Sequence, residues 1–226
     1  MLLILVIVLI IAFMLQQKTE IFTKPKMTNT VTLSKLKQTL YIIDKLFADN
    51  NIVYWMQGGT LLGAERHKNV IPWDDDGDIV VPLKYKNHLL AVVPQLKQLG
   101  YGFASWWGGY KIFPMNGTAI KKVDGGVYDY KYPFVDVFIM SNMGERYDFI
   151  EPLARDMWPH HYHLIEDLLP LKRYAFDTFT LNGPRNAVPY LNRAYGADWR
   201  TVAYMSYDHS REEQIATVSF NIRDVL

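Results

Sequence analysis

Four carboxylates in five residues, Asp74-Asp75-Asp76-Gly77-Asp78, stand directly before the apolar run Ile79-Val80-Val81. Charges that close repel one another, and the cluster costs folding free energy unless water or a cation takes up the charge. Alternate residues of a strand share a face, which sets Asp76 and Asp78 on one side, about 7 Å apart along the strand. Such a pair is part of a clamp for a divalent cation. A third acid stands in Phe134-Val135-Asp136-Val137-Phe138-Ile139-Met140, a strand pattern apolar on both faces in which Asp136 is the only charge. A buried, unpaired carboxylate is costly or neutralises itself. Setting Asp136 beside Asp76 and Asp78 lets one ion compensate all three. Hard oxygen ligands select Mg²⁺ or Mn²⁺ over zinc, and such ions bridge phosphate oxygens well.

The glycines upstream fit the same chemistry. Tyr54-Trp55-Met56-Gln57 reads as the end of a strand that begins near Ile52. Gly58-Gly59 permits a tight turn and close backbone approach, and Thr60 stands where a helix starts. Free amides at a helix N-terminus hold anions, so Gly58, Gly59 and Thr60 are candidate donor-phosphate contacts. Arg66, His67 and Lys68 close that helix. They read equally as a basic helix end that suits the helix dipole and as phosphate or leaving-group contacts.

The segments Gly58–Lys68 and Ile71–Ile79 together resemble the signature of the LicD family, which includes bacterial phosphocholine transferases and is similar to the fukutin-type ribitol-phosphate transferases of animals. Phe134–Phe138 resembles the family's third-acid strand, and Pro189-Tyr190-Leu191-Asn192-Arg193-Ala194-Tyr195-Gly196-Ala197-Asp198-Trp199 its C-terminal signature. Gly77 departs from the pattern, where an apolar residue is usual. The resemblance implies an α/β (α+β) nucleotidyltransferase-like fold, a mixed β-sheet flanked by helices. It implies a metal-dependent, phosphodiester-forming transfer of a phospho-alcohol from a CDP-alcohol donor to a glycan hydroxyl. Asp76, Asp78 and Asp136 would hold Mg²⁺ or Mn²⁺, and Asp74 or Asp136 would act as the base.

Other readings compete for the same residues. Asp74–Asp78 alone could be a solvated acidic turn. An EF-hand is excluded, because with Asp74 first the glycine position holds Ile79 and the closing glutamate position holds Tyr85. The Asp-x-Asp of a glycosyltransferase leaves Gly58-Gly59-Thr60 and the Asp136 strand unexplained. A nucleotidyltransferase of another donor class and an inactive glycan-binding relative are further alternatives. Trp73 reads as a packing residue. His160, His161 and His163 lie too close in sequence for one tetrahedral zinc site. Gly108-Gly109-Tyr110-Lys111 reads as a turn into a strand with Lys111 toward the substrate, and Asn182-Gly183-Pro184-Arg185 as a turn.

The chain of 226 residues has a net charge of +1, which gives no basic surface for nucleic acid, and no cysteine. Residues 1–16 form an expected hydrophobic signal anchor. Its apolar run, Leu2 to Leu15, would cover about 21 Å as a helix, against a hydrocarbon core of about 30 Å. Residues 17–32 read as a polar stem, and 33–226 as the catalytic domain. Lysines after the run favour a cytoplasmic domain. The animal relatives and the sequon Asn116-Gly117-Thr118 favour the Golgi or ER lumen. Apolar spacing predicts a helix over 33–50 and a second over 85–99. It predicts short strands between 101 and 130, and helices and loops from 144 onward.

Overall fold

A computed structural model of the protein describes residues 25–225. The expected anchor and the first half of the expected stem lie outside the described residues. Among those described, no helix is long and apolar enough to cross a membrane.

Among the described residues the first helix, α1, runs over Thr30–Asp49 and starts three residues before the point that apolar spacing predicts. Asn29 sets that start: its side-chain oxygen accepts from the Thr32 N–H at 2.9 Å, satisfying an amide that has no partner within the helix. Thr28 N–H also donates to Pro72 O at 2.9 Å. The end of the expected stem is thus built into the domain.

A short strand β1 (Trp55–Met56) leads into helix α2 (Gly58–Arg66). Strand β2 (Gly77–Pro82) follows. The helix expected over 85–99 is two, α3 (Lys86–Ala91) and α4 (Val93–Gln98), with Pro94 in the first turn of α4. Proline lacks the N–H that a continuous helix would bond there, so the chain restarts. Strands β3 (Tyr101–Trp106), β4 (Gly109–Pro114), β5 (Thr118–Lys121), β6 (Val127–Tyr132) and β7 (Val135–Asn142) come next. They are the short strands and the third-acid strand that the sequence predicts.

Beyond residue 144 the structure departs from the expected helices and loops. Helices α5 (Pro152–Met157), α6 (Ile165–Leu168) and α7 (Val188–Tyr195) are present. So are strands β8 (Arg146–Phe149) and β9 (His163–Leu164). Two hairpins were not expected: β10 (Lys172–Phe176) with β11 (Phe179–Gly183), and β12 (Val202–Asp208) with β13 (Glu213–Asn221). Asn182 and Gly183, read as a turn, close β11.

The main sheet has the order β1-β2-β7-β4-β3, with β8 on β7 and β9 on β8. Strands β2 and β7 are parallel and the other pairs antiparallel, so the sheet is mixed. The β2–β7 register sets Asp78 opposite Asp136, and the β4–β7 register sets Lys111 opposite Asp136. On one face Val135, Val137 and Ile139 join Ile79, Val81 and the α1 residues Leu36, Leu40, Ile43 and Phe47 in the main core. A Cβ at Gly77 would meet Leu36, Leu40 and Val135, so glycine there lets α1 lie close. On the other face Val80, Phe138 and Met140 pack with Trp55, Phe149, Ala154 and Leu168. Asp78 and Asp136 belong to this second face by strand alternation.

Candidate active site

The glycine turn and the acids interlock. Gly58 is left-handed at φ 54°, and a Cβ there would collide with the Asp78 carboxylate; at Gly59 it would collide with that of Asp74. Only glycine permits both the dihedral and the approach. Gly59 N–H donates to Asp78 Oδ2 at 2.9 Å, and Asp78 N–H donates to Thr60 Oγ1 at 2.7 Å. The Thr60 hydroxyl therefore fastens α2 to β2.

The C-terminal segment holds the turn from the other side. Tyr190 Oη accepts the Gly58 N–H at 3.0 Å and meets His161 Nδ1 at 3.1 Å, while the His163 ring stacks on Tyr190 at 4.3 Å. Burial drives the His161 pKa down to about 4. A neutral ring accepts the Tyr190 O–H, so the chain of donors runs from Gly58 to Tyr190 to His161. His161 and His163 are thus an aromatic and hydrogen-bonded support for the turn.

Asp76, Asp78 and Asp136 each offer an oxygen within 4.8 Å of the others. At bond lengths of about 2.0–2.2 Å, opposite ligands of one Mg²⁺ or Mn²⁺ lie about 4.2 Å apart. A small inward movement of the three carboxylates, of which Asp76 and Asp136 are buried and Asp78 half-buried, would close on such an ion, and the all-oxygen set suits it. Burial raises all of them: Asp78 to about 7, with Asp136 and Asp74 adding repulsion, and Asp76 well above the usual range. Asp74 is raised to about 6 by burial and by Asp75. The cluster is short of positive charge.

Two cations of the chain address it in part, and neither was assigned that role from the sequence. Lys111, expected to face the substrate, is 2% exposed, and its Nζ lies 2.7 Å from Asp136 Oδ1 and 3.7 Å from Glu212 Oε1. The rings of Phe134, Trp106 and Tyr130 surround the ammonium at 3.5, 4.4 and 4.9 Å. Asp136 is therefore a paired carboxylate, which corrects the reading of it as an isolated charge. Burial still raises its pKa, with Lys111 pulling it down. His209, in the turn between β12 and β13, sets Nδ1 2.7 Å from Asp75 and Nε2 3.3 Å from Asp76. Burial works against its charge, yet Asp76 and Asp75 together raise its pKa to about 10. The signal for this hairpin was present: Asp208, Ser210 and Arg211 form a polar turn between two runs rich in β-branched and aromatic residues.

His209 and the acids line a cleft of about 400 Å³ that takes in Gln57, Gly58, Gly59, Asp74, Asp76, Asp78 and Asp136. Of the basic trio, Arg66 lines it; its NH1 donates to Trp199 O at 2.7 Å, and burial lowers its pKa to about 10. His67 accepts from Arg66 Nε and packs edge-on against Trp73. Lys68 is exposed at φ 55° and turns back to the carbonyl of Glu65. Trp73 packs as expected, against Phe220, and also forms part of the cleft wall.

The family described as LicD/FKTN/FKRP, nucleotidyltransferase domain, matches residues 51–186. An uncharacterized protein of Rickettsia prowazekii, RP689, is 33% identical over 175 residues, covering 77% of this chain and 59% of that one. Human ribitol 5-phosphate transferase FKRP is 38% identical over 52 residues, 23% of this chain and 10% of that one. Lipopolysaccharide cholinephosphotransferase LicD of Haemophilus influenzae is 64% identical over 28 residues, 12% and 11% of the two chains. The chain spans less than two thirds of the length of each of these relatives. With the glycine turn and its acids inside the matched segment, the chain belongs to the LicD/FKTN/FKRP nucleotidyltransferase-domain family.

Proposed function

We propose that the protein is a metal-dependent transferase that moves a phospho-alcohol, such as phosphocholine or ribitol phosphate, from a CDP-alcohol to a glycan hydroxyl. The observation that carries this reading is the convergence of Asp76, Asp78 and Asp136 beside the Gly58-Gly59 turn. Mg²⁺ or Mn²⁺ held by these three acids would offset charge on the donor diphosphate. Arg66 adds a fixed positive charge in the cleft wall. The acceptor oxygen forms a bond to the phosphorus that bears the alcohol, the bond from that phosphorus to the bridging oxygen breaks, and CMP leaves with the electron pair. Asp74 takes the acceptor's proton: it lines the cleft, whereas one oxygen of Asp136 is already engaged by Lys111. Family membership supports phospho-alcohol transfer in general.

A panel of CDP-alcohols with Mg²⁺ or Mn²⁺ tests the reading. CMP release that chelator abolishes is the expected result. Pyrophosphate released from a nucleoside triphosphate, with no CMP from any CDP-alcohol, would replace it with nucleotidyl transfer. The apolar run at residues 2–15 is proposed as the membrane anchor. A glycan on Asn116, which is exposed, would place the domain in the lumen.

A further inference from the structure

The cleft is chemically divided. The strands β2 and β7 both run away from the acid cluster, and Trp73 and Arg66 lie before β2 begins. On that side the lining includes Arg66, Trp73, Trp199 and the β12–β13 hairpin with His209. Phe138 stands two residues beyond Asp136, about 7 Å farther along the same face of β7. There the lining is Phe138, Phe149 and Trp158, with Gln57 at the start of this arm, level with the acids. Among the described residues, the cationic side chains that line the cleft, Arg66 and His209, are both on the first side; His161 is held neutral by burial. A diphosphate belongs with the cations, which leaves the aromatic arm to an uncharged group.

Two features of this arm point to a ligand. Gln57 lines the cleft and is 2% exposed, and its Oε1 is buried with no hydrogen-bond partner. A buried amide oxygen left so is unfavourable, and an incoming O–H would relieve it. Gln57 also sits level with Asp78, whose carbonyl accepts the Gln57 N–H at 3.2 Å, so a group bonded to it lies next to the acids. The second feature is the aromatic wall. Phe138 meets Trp158 edge-on at 5.4 Å, and Trp158 stacks on Trp107 at 5.4 Å and 12°. Trp107 is 43% exposed. The wall thus runs from the acids to the surface.

We propose that Gln57, Phe138, Trp158 and Trp107 form the acceptor subsite, and that its occupant is an uncharged sugar ring. This deepens the transferase reading and rests on it. A pyranose presents a C–H-rich face, suited to flat aromatic surface, and a rim of hydroxyls; Gln57 Oε1 accepts from one and leaves a neighbour directed at the acid cluster. Trp107 supports the next residue of the glycan outside the cleft.

Saturation-transfer NMR on the full chain, without donor, tests the subsite using the methyl glycosides of glucose, galactose and N-acetylglucosamine. At least one should show transfer. Trp107→Ala, at an exposed position, and Gln57→Met should each weaken it about tenfold, near 1.4 kcal/mol. CDP affinity, read by calorimetry, should stay within about twofold, a few tenths of a kcal/mol. Silence from all three glycosides, or binding in both variants as tight as in the unsubstituted chain, overturns the subsite. So does loss of CDP affinity in Trp107→Ala, which would seat the nucleotide on the aromatic arm. The transferase reading fails separately: glycosides would still bind while no CDP-alcohol releases CMP.

Discussion

The two faces of β7 divide stability from chemistry. One face carries Val135, Val137 and Ile139 under α1, with no polar group to satisfy. The other carries Asp136, Phe138 and Met140, and its first residue sits among carboxylates, a buried lysine and three aromatic rings. One face gains free energy by burying carbon. The other holds charges whose burial is unfavourable without a compensating ion. Such a strand can lose function without losing its fold, and the reverse.

The largest effects should come from breaking the polar face. Asp78→Asn is expected to lower turnover by about 10²–10³-fold or more, the scale of removing one preorganised electrostatic group. Its metal-free melting temperature should hold or rise, because a repulsion disappears. Asp136→Asn should lose turnover equally but also lose stability. It leaves the Lys111 ammonium with Glu212 alone, 3.7 Å away, and removing one partner of a buried pair costs about 3–5 kcal/mol. Lys111→Met should destabilise for the mirrored reason, and the double variant Lys111→Met/Asp136→Asn by less than the sum. Additive melting data across that cycle would show that the pair is not coupled.

The apolar face gives the converse. Ile139→Ala should cost about 2–5 kcal/mol in denaturant unfolding. Turnover per folded molecule should change little, since the side chain points away from the acids. A loss of turnover as large as that of Asp78→Asn would erase the division.

A smaller effect lies in the support of the glycine turn. Burial holds His163 neutral, its pKa down at about 3, whereas an unfolded histidine titrates near 6.5. Below pH 6.5 the unfolded chain takes up a proton that the native ring refuses, so stability falls as pH falls, down to about pH 3. Between pH 7.5 and 5.5 this one ring accounts for about 1.4 kcal/mol. His163→Phe keeps a ring against Tyr190 and should shrink the stability difference between those two pH values by that amount. An unchanged difference would mean that the ring protonates in the native state.

What could be read in the sequence was local. Gly58, Gly59, Asp76 and Asp78 lie within one turn-helix-strand unit, and the excess charge in so short a span announces its own chemistry. Asp136 was legible because it interrupts an apolar run. Lys111 was not: its partner depends on the β4–β7 register, which no spacing in the chain encodes, and a buried lysine looks like any other in sequence. The hairpin that carries His209 was legible from its polar turn, but its docking beside Asp75 and Asp76 is a long-range contact that no spacing in the chain encodes. Gln57 stood in plain view as the residue before the glycines, but an unsatisfied oxygen exists only once the cleft has closed around it.

The smallest effect tests where the apolar face begins. Asn29 caps α1 through its side chain, and α1 covers the Val135 face. Asn29→Ala should cost about 1 kcal/mol, the usual worth of such a cap, with turnover unchanged. Deleting residues 1–24 leaves the cap and the Thr28–Pro72 hydrogen bond in place, so the shortened chain should match the full one in melting temperature and in activity on a soluble acceptor. Deleting 1–29 removes both contacts and should lower the melting temperature at least as much as Asn29→Ala. If the 1–29 deletion melts with the full chain, the cap contributes nothing and α1 is held by packing alone. If the 1–24 deletion already melts early, the apolar run at 2–15 is part of the folded core, and the proposed anchor gives way to an additional layer on the domain.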